Sequence, residues 1–148
     1  MSRIEEIASQ ISIIIPKFIR AMRMGLAVTT KVTAPQLVML LTISEKGVCR
    51  ASQLSKEIKI SAPTVTGFVD RLMREGYLVR IPDTNDRRAI NIKLTPKGEH
   101  LVNEFLSHIK KQWKSILIHL TPQEREDYLK FLKRILGVLT AQDKKIFS

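Results

Sequence analysis

The chain has 148 residues, and its 44% hydrophobic content suits one folded domain, or a compact domain with dimerising arms, and excludes a disordered chain. The 25 basic and 14 acidic residues give a formal net charge of +11, which favours a polyanionic partner, either nucleic acid or an acidic membrane surface. The single cysteine, Cys49, excludes an intrachain disulfide, and no apolar run approaches the ~20 residues that span a bilayer.

The first predicted element is an amphipathic helix near the N-terminus. Ser2 and Glu5 have the spacing of a capping box, and Pro16 is expected to kink the helix because proline has no N–H for the helical ladder. The apolar positions at helical spacing are Ile4, Ile7, Ile11, Ile14, Ile15, Phe18, Ile19 and Met22. A second copy of the chain is the simplest way to bury this stripe, and burial within the chain's own fold accounts for part of it.

Gly25–Val32 is interpreted as a connector, after which Thr33 and Gln36 form a second capping-box signal. We expect a mostly apolar helix from there to about Gly47, followed by a short strand at residues 48–50. The mixed charge of the first residues does not match a signal peptide, and together with the lone cysteine it predicts a reducing, cytoplasmic location.

Residues 51–74 predict two short helices joined by a tight turn. Leu54 and Ile58 share one face of the first helix, while Ser61 is a good N-cap for the second and Pro63 fits its first turn. The second helix has apolar residues at Val65, Val69, Leu72 and Met73, and small or polar residues at Thr64, Thr66, Gly67, Asp70, Arg71 and Arg74. This pattern is typical of a helix-turn-helix that enters the DNA major groove, although a helical hairpin with a solvated polar face also fits these two helices alone.

Two predicted strands follow and indicate a winged helix. Residues 77–81 are rich in strand formers, and residues 89–94 alternate so that Ile90, Ile92 and Leu94 share one face. The charged loop between them reads PDTNDRR, which is typical of a hairpin turn.

The arginines of this loop suit the DNA minor groove, where narrow A·T-rich tracts concentrate negative potential. Asp86 lies two residues before Arg88 and is expected to hold its side chain by a charge-assisted hydrogen bond. A solvated loop is the alternative interpretation for Arg87 and Arg88 considered alone.

The run SAPTVTGFVDRLMREGYLVR, followed by DTNDRRAINIKLTPKG, resembles the MarR family (multiple antibiotic resistance regulators) of winged helix-turn-helix transcription factors. The Asp-Arg-Arg wing, the alternating strand and Leu-Thr-x-x-Gly are its most specific part, and the likeness extends more loosely over the whole chain. The resemblance implies a DNA-binding set of Ser61, Pro63, Thr64, Thr66, Gly67, Arg71, Asp86, Arg87 and Arg88.

In this set the resemblance places the residues up to Arg71 on the recognition helix and makes Arg88 a minor-groove finger. It also implies that Asp86 orients Arg88 and that Arg87 lies near the phosphates. Many relatives carry arginine where this chain has Gly67, so sequence preference would depend more on the threonines and on Arg71.

After the wing, Thr95 and Pro96 predict the start of a long helix, and Thr121-Pro122-Gln123-Glu124 predicts its end and the start of another. Their apolar stripes are Leu101, Phe105, Ile109, Trp113, Ile116, Leu117 and Leu120, then Tyr128, Leu129, Leu132, Ile135, Leu136 and Leu139. The fold class is therefore mainly α (α+β), with a winged helix-turn-helix in residues 33–98 between dimerisation elements in residues 1–32 and 99–148.

Other candidate sites have simpler alternatives. His100, Glu104 and His108 follow each other at i, i+4 spacing, which suits metal ligands, but a polar flank of the helix is favoured because a complete zinc site usually needs a further ligand. Cys49 is a candidate redox sensor, yet the peroxide-sensing branch of the family uses a cysteine in the N-terminal helix, and a small buried filler is favoured here.

A pocket for a small aromatic or anionic effector is a further hypothesis, with core packing as an equal alternative. Its candidate lining residues are Phe18, Met22, Met24, Met39 and Trp113. No residue set predicts catalysis, and no cofactor is expected.

We therefore expect a homodimeric, sequence-specific regulator of transcription that binds double-stranded DNA as a ligand-responsive repressor. A sequence-tolerant architectural DNA-binding protein without an effector is the main alternative, and a module that binds only proteins is a third.

Overall fold

The computed structural model describes residues 1–26 and 31–146. Within these residues the chain forms the following elements: α1 (Arg3–Leu26), α2 (Ala34–Lys46), β1 (Cys49–Arg50), α3 (Ala51–Ile58), α4 (Ala62–Arg74), β2 (Leu78–Pro82), β3 (Ile90–Leu94), α5 (Pro96–Leu117) and α6 (Pro122–Ile146). The expected fold class, a mainly helical chain with a small winged-helix sheet, is confirmed. No helix within the described residues has the length and apolar character needed to cross a bilayer.

Helix starts follow the local capping signals in the sequence. Thr33 and Gln36 form the expected capping box at α2, and the Ser61 hydroxyl accepts from the Thr64 N–H at 3.4 Å at the start of α4. The α6 start has the same reciprocal arrangement, in which the Thr121 N–H donates to Glu124 at 2.8 Å. Each of these contacts lies within three residues, which is why the sequence alone indicates them.

The sheet is antiparallel with strand order β1-β3-β2, and its register pairs Cys49 with Ile92 and Leu78 with Leu94. Ile92 and Leu94 are buried as expected, whereas Ile90 is 50% exposed. The three side chains were predicted to share one face of β3, and burial on that face extends to Leu94 and Ile92 but not to Ile90. It pairs with Pro82 at the outer end of the hairpin.

One hydrophobic core holds the winged helix together. Its fully buried side chains come from α2, α3 and α4, and they are Met39, Leu40, Ile43, Leu54 and Leu72, with Val65, Val69 and Val102 nearly as buried. Burying an aliphatic side chain of this size contributes roughly 1.5–3 kcal/mol. The core therefore fixes which face of α4 points inward.

The start of α5 is bound to the end of α4 and the start of β2. The Thr95 N–H donates to the Tyr77 carbonyl at 3.0 Å, and the Thr95 hydroxyl donates to the Gly76 carbonyl at 2.5 Å. Lys97 Nζ donates to the Glu75 carbonyl at 2.7 Å and lies over the Tyr77 ring. These contacts satisfy carbonyl groups that a helix end leaves unpaired.

The chain divides into two compact units, residues 1–108 and 109–148. In the second unit the Trp113 and Tyr128 rings lie 5.4 Å apart, and Arg125 Nε donates to the Leu117 carbonyl at 2.7 Å. These contacts join the end of α5 to α6 and reverse the direction of the chain.

Two predictions fall partly outside the described residues. The connector expected at Gly25–Val32 includes residues 27–30, and the candidate effector-pocket residue Met24 has a side chain that the structure does not describe. Of the other pocket candidates, Met39 is fully buried in the winged-helix core, so core packing is the correct interpretation of this residue. Helix α1 runs through Pro16 as a single helix.

Candidate nucleic-acid interface

Helix α4 presents one face to the core and the other to solvent. Val65, Val69 and Leu72 are buried, whereas Thr64 and Thr66 are exposed. The residues of the candidate recognition surface on this helix all lie on its exposed side: Ser61, Pro63, Thr64, Thr66, Gly67 and Arg71. Because the core contacts leave α4 one way to pack, the exposed face is determined by the buried one.

Hydroxyl groups at the start of α4 are close together and retain acceptor capacity. The Ser61 and Thr64 hydroxyl oxygens are 2.7 Å apart, and the Thr66 hydroxyl donates to the Ala62 carbonyl at 3.0 Å. A hydroxyl that donates one bond still has lone pairs to accept another. This end of the helix can therefore accept hydrogen bonds from a ligand, and whichever of the Ser61 and Thr64 hydroxyls is the acceptor in their pair keeps its O–H to donate.

The middle of the exposed face is flat. At Gly67 an added Cβ would meet no atom within 4 Å, so the glycine leaves the helix surface open rather than relieving a clash. Arg71 Nε donates to Glu75 Oε1 at 3.2 Å, which directs its guanidinium along the helix axis. The surface of a large ligand can therefore approach the backbone of α4 closely at Gly67.

The wing places both of its arginines in solvent. Arg87 and Arg88 are exposed, between β2 and β3. The Asp86 carboxylate accepts from the backbone N–H of Arg88 at 2.9 Å, and the Ala89 N–H donates to the Asp86 carbonyl at 3.1 Å. The expected bond from Asp86 to the Arg88 side chain is therefore a bond to its backbone instead, as in an Asx turn.

Two ion pairs in this region were not anticipated from the sequence. Arg80 Nη2 of β2 lies 2.8 Å from Asp70 Oδ1 of α4, and Arg50 Nη2 lies 2.8 Å from Asp83 Oδ2. The first joins the wing to the candidate recognition helix, and the second joins the wing to the start of α3. Sequence separations of 10 and 33 residues gave no local signal for either pair.

The environment of Asp83 favours its charged form. Its pKa is lowered chiefly by the hydrogen bond from the Asn85 backbone N–H, and next by the Arg50 guanidinium. The carboxylate is therefore an anionic anchor at the base of the wing at every physiological pH.

The candidate metal ligands do not form a cluster. His100 Nε2 lies 3.2 Å from Glu104 Oε1, a helical i, i+4 contact between two largely exposed side chains. Among the described residues, no three histidine, cysteine, aspartate or glutamate side chains lie together in an arrangement that could hold a metal ion, His108 included.

Cys49 lies in β1 and is buried, with 2% of its surface exposed. Burial raises the pKa of its thiol, and nearby Lys46 opposes this only in part. The thiol form is therefore favoured, and thiolate chemistry such as peroxide sensing is disfavoured.

The family model named MarR family matches residues 32–90, which include α2, the two short helices, β2 and the wing loop, and which end where β3 begins. The chain is 31% identical over 108 residues to the HTH-type transcriptional regulator PecS of Dickeya dadantii, covering 71% of this chain and 65% of PecS. It is 27% identical over 104 residues to the HTH-type transcriptional regulator YsmB of Bacillus subtilis, covering 70% of this chain and 71% of YsmB. Its match to the Bacillus subtilis repressor YetL spans about half of that protein, 48%.

Solved structures share the fold over most of the chain. A MarR family protein from Bacillus stearothermophilus superposes with a TM-score of 0.82 at 21% identity, covering 95% of this chain and 99% of that one. BpsR of Bordetella bronchiseptica, whose DNA binding is regulated by 6-hydroxynicotinic acid, has a TM-score of 0.63 at 27% identity and covers 85% of this chain and 98% of its own.

Proposed function

We propose that the chain, whose winged helix matches the MarR family model, is a MarR-type homodimeric regulator of transcription that binds a specific operator and is released by a small ligand. DNA-binding regulation is what its named relatives share. The dimer, the choice of operator and the response to a ligand are the parts that this proposal adds.

The observation that carries the proposal is the orientation of α4. Its apolar residues are buried while Thr64, Thr66 and Gly67 are exposed, and the wing holds Arg88 in solvent. A helix with small, hydrogen-bonding residues can enter the major groove, and a wing-tip guanidinium suits the minor groove. In this proposal the residues that contact DNA, or that orient a residue that does, are Ser61, Pro63, Thr64, Thr66, Gly67, Arg71, Asp86, Arg87 and Arg88.

Dimerisation is supported by apolar surface outside the winged helix. On α1, Ile4, Ile7, Ile11, Ile14 and Phe18 are each at least 41% exposed in the single chain. On α6 the same holds for Leu129, Phe131, Leu132, Ile135, Leu136, Val138 and Leu139. A helix that exposes this many apolar side chains is rare on a monomer, and a two-fold symmetric partner is the commonest way to cover such a surface.

A dimer would present two copies of α4 to the same face of DNA. Half-sites are then expected roughly one helical turn, ~34 Å, apart. A ligand that prefers one spacing of the two helices would shift the population between binding and non-binding dimers. The regulated DNA binding of BpsR supports a small-molecule effector of this kind, which in this chain would be aromatic or anionic.

The direct test is selection of binding sites from random DNA, followed by titration of the selected site against nonspecific competitor. A regulator should prefer its site by about a thousandfold or more, with an inverted repeat in the selected sequence. A screen for ligands that dissociate the complex then tests the regulatory part. Absence of salt-dependent DNA binding would instead indicate a module that binds only proteins.

One observation favours a second candidate, an architectural DNA-binding protein. Gly67 provides no base-reading side chain at the centre of the exposed face. Such a protein would bind the selected site and random DNA with similar affinity, because phosphate contacts alone carry no sequence information. The competition titration separates the two candidates. For either one we propose a cytoplasmic location, supported by the free, buried thiol of Cys49.

A further inference from the structure

Asp83 connects three parts of the wing region through one largely buried carboxylate. Its Oδ2 atom lies 2.8 Å from Arg50 Nη2 and 3.4 Å from Asn91 Nδ2, and its Oδ1 atom accepts from the Asn85 N–H at 2.9 Å. Only 12% of the Asp83 side chain is exposed. The same residue closes the hairpin through its backbone, since its N–H donates to the Ala89 carbonyl at 3.2 Å.

Arg50 is fixed to the body of the domain on its other side. Its backbone pairs with Asn91 in the β1–β3 ladder, and its N–H donates to Gln53 Oε1 at 2.9 Å, which holds the first turn of α3. The guanidinium therefore extends from a well-anchored backbone position to the wing. The ion pair between Arg50 and Asp83 thus joins the wing to the start of the helix-turn-helix.

The ion pair of Arg80 with Asp70 also joins β2 to α4, but the part of the wing beyond Pro82 has little else to hold it. Ile90, where β3 begins, is 50% exposed, and the loop residues from Thr84 to Arg88 are exposed. A two-stranded hairpin without an apolar face packed on a core is marginally stable in water. Its position then depends on polar contacts at its base, and the Asp83 carboxylate makes most of them.

We propose that Arg50 and Asp83 are positioning residues for DNA binding, whose ion pair holds the wing so that Arg88 is already placed for the minor groove. This proposal rests on the proposed function. Holding the wing in its bound position before association reduces the ordering cost of binding, which raises affinity without a new contact to DNA.

Direct phosphate binding by Arg50 is the competing role. Arg50 and Arg88 line the same open cleft, together with Ser52 and Asp86. The Asp83 carboxylate, however, neutralises the Arg50 guanidinium and would repel a phosphate placed against it. The pair therefore favours positioning over phosphate contact.

The test measures binding of the selected operator by Arg50→Ala, Asp83→Asn and the charge-exchanged double variant R50D/D83R, each with and without Arg88→Ala. We expect each single variant to bind the operator about tenfold more weakly, and the charge-exchanged double variant to recover most of that affinity. In the Arg88→Ala background, neither single variant should lower the affinity further. Glu57→Gln is the control, because it breaks the exposed 2.7 Å pair between Lys46 and Glu57 away from the wing.

The salt dependence separates the two roles. A positioning residue leaves the slope of log affinity against log salt unchanged, whereas loss of one phosphate contact lowers its magnitude by about 0.9. A lower slope for Arg50→Ala, a loss that adds to that of Arg88→Ala, or unchanged affinity would overturn the proposal.

A measurement without DNA distinguishes failure of this inference from failure of the proposed function. Hydrogen exchange at the Asp83 and Ala89 amides should speed up severalfold in Asp83→Asn, while the Ile92 amide in the central strand stays unchanged. Unchanged exchange at the wing would refute the anchoring even if the protein binds its operator. Faster exchange in a protein that shows no DNA binding would refute the proposed function instead.

Discussion

A Cβ atom added at Gly98 would lie 2.2 Å from the carbonyl oxygen of Tyr77. That oxygen is itself the acceptor for the Thr95 N–H, so it cannot move away without breaking the bond that starts α5. The glycine of the Leu-Thr-x-x-Gly motif is therefore required by close backbone packing between the first turn of α5 and Tyr77, the residue that precedes β2.

Gly98→Ala should lower the free energy of unfolding by about 1–3 kcal/mol, since a buried backbone contact has to open. Urea denaturation measures this. The matched control is Gly67→Ala, where the new methyl group meets nothing within 4 Å and lies within a helix. It should raise stability by about 0.5–1 kcal/mol, and equal effects of the two alanines would contradict the packing explanation.

Lys59 adopts a left-handed conformation, with φ at 60°, in the turn between α3 and α4. A side chain costs roughly 1–2 kcal/mol there, and glycine avoids most of it while adding freedom to the unfolded chain. Lys59→Gly is therefore expected to raise the unfolding free energy by about 0.5–1 kcal/mol. Lys56→Gly, within α3, should lower it by a similar amount, and the same sign for both would refute the role of φ.

The two wing arginines should differ in how they affect DNA binding. Arg88→Ala is expected to weaken operator binding by about 1–3 kcal/mol and to relax preference at A·T-rich positions, because a minor-groove side chain reads groove shape. Arg87→Ala should weaken binding to all sequences alike and reduce the salt slope, as for a phosphate contact. Mobility-shift titrations at several salt concentrations measure both effects. If the Arg88→Ala variant keeps full affinity for the operator, Arg88 is not part of the DNA interface.

Ile14 lies in the middle of the exposed apolar stripe of α1, with 58% of its surface accessible. Ile14→Glu would place a charge in the proposed dimer interface, and it should weaken dimerisation by on the order of 3 kcal/mol, over a hundredfold in dissociation constant. Ser9→Glu, on the opposite side of the same helix, should have little effect. Sedimentation velocity distinguishes them, and a dimer equally stable in both variants would place the interface elsewhere.

Cys49 should be unreactive in the folded protein, because it is 2% exposed and burial raises its thiol pKa. Alkylation by iodoacetamide at pH 8 is expected to be far slower in the native chain than in urea. A raised folded-state pKa contributes stability below the unfolded-state pKa, and this contribution is lost as the pH rises through the folded-state pKa. Stability should therefore fall on the alkaline side, and less so in Cys49→Ala; rapid native alkylation would restore the redox-sensor hypothesis.

Helix starts, the turn after α2 and the burial of α4 could be predicted from the sequence because each depends on residues within a few positions. The hydroxyl at Ser61 caps its own helix, and the spacing of Val65, Val69 and Leu72 determines which side of α4 is apolar. The candidate DNA-binding set was implied by the resemblance to the MarR family. The spacing of the apolar residues predicted only that the members of this set on α4 lie on its exposed face.

For Asp86 and Ile90 the local sequence predicted part of the structure correctly, but not which groups surround the side chain. Asp86 does interact with Arg88, but with the backbone N–H rather than the guanidinium, because the turn brings that N–H closer. Ile90 alternates correctly along β3, yet the hairpin extends past the core at that point, so half of the Ile90 surface remains exposed. Periodicity indicates a face, and only the length of the neighbouring elements decides whether that face is buried.

Sequence by itself therefore determined the elements, the winged-helix class and the exposed face of α4, all of which follow from local geometry and hydrophobic spacing. Tertiary structure alone decided the ion pair of Arg50 with Asp83, the ion pair of Arg80 with Asp70, and the contact of Gly98 with Tyr77. These contacts depend on strand register and on how the elements pack together, which bring distant residues within a few ångströms and leave no trace in the spacing of the residues themselves.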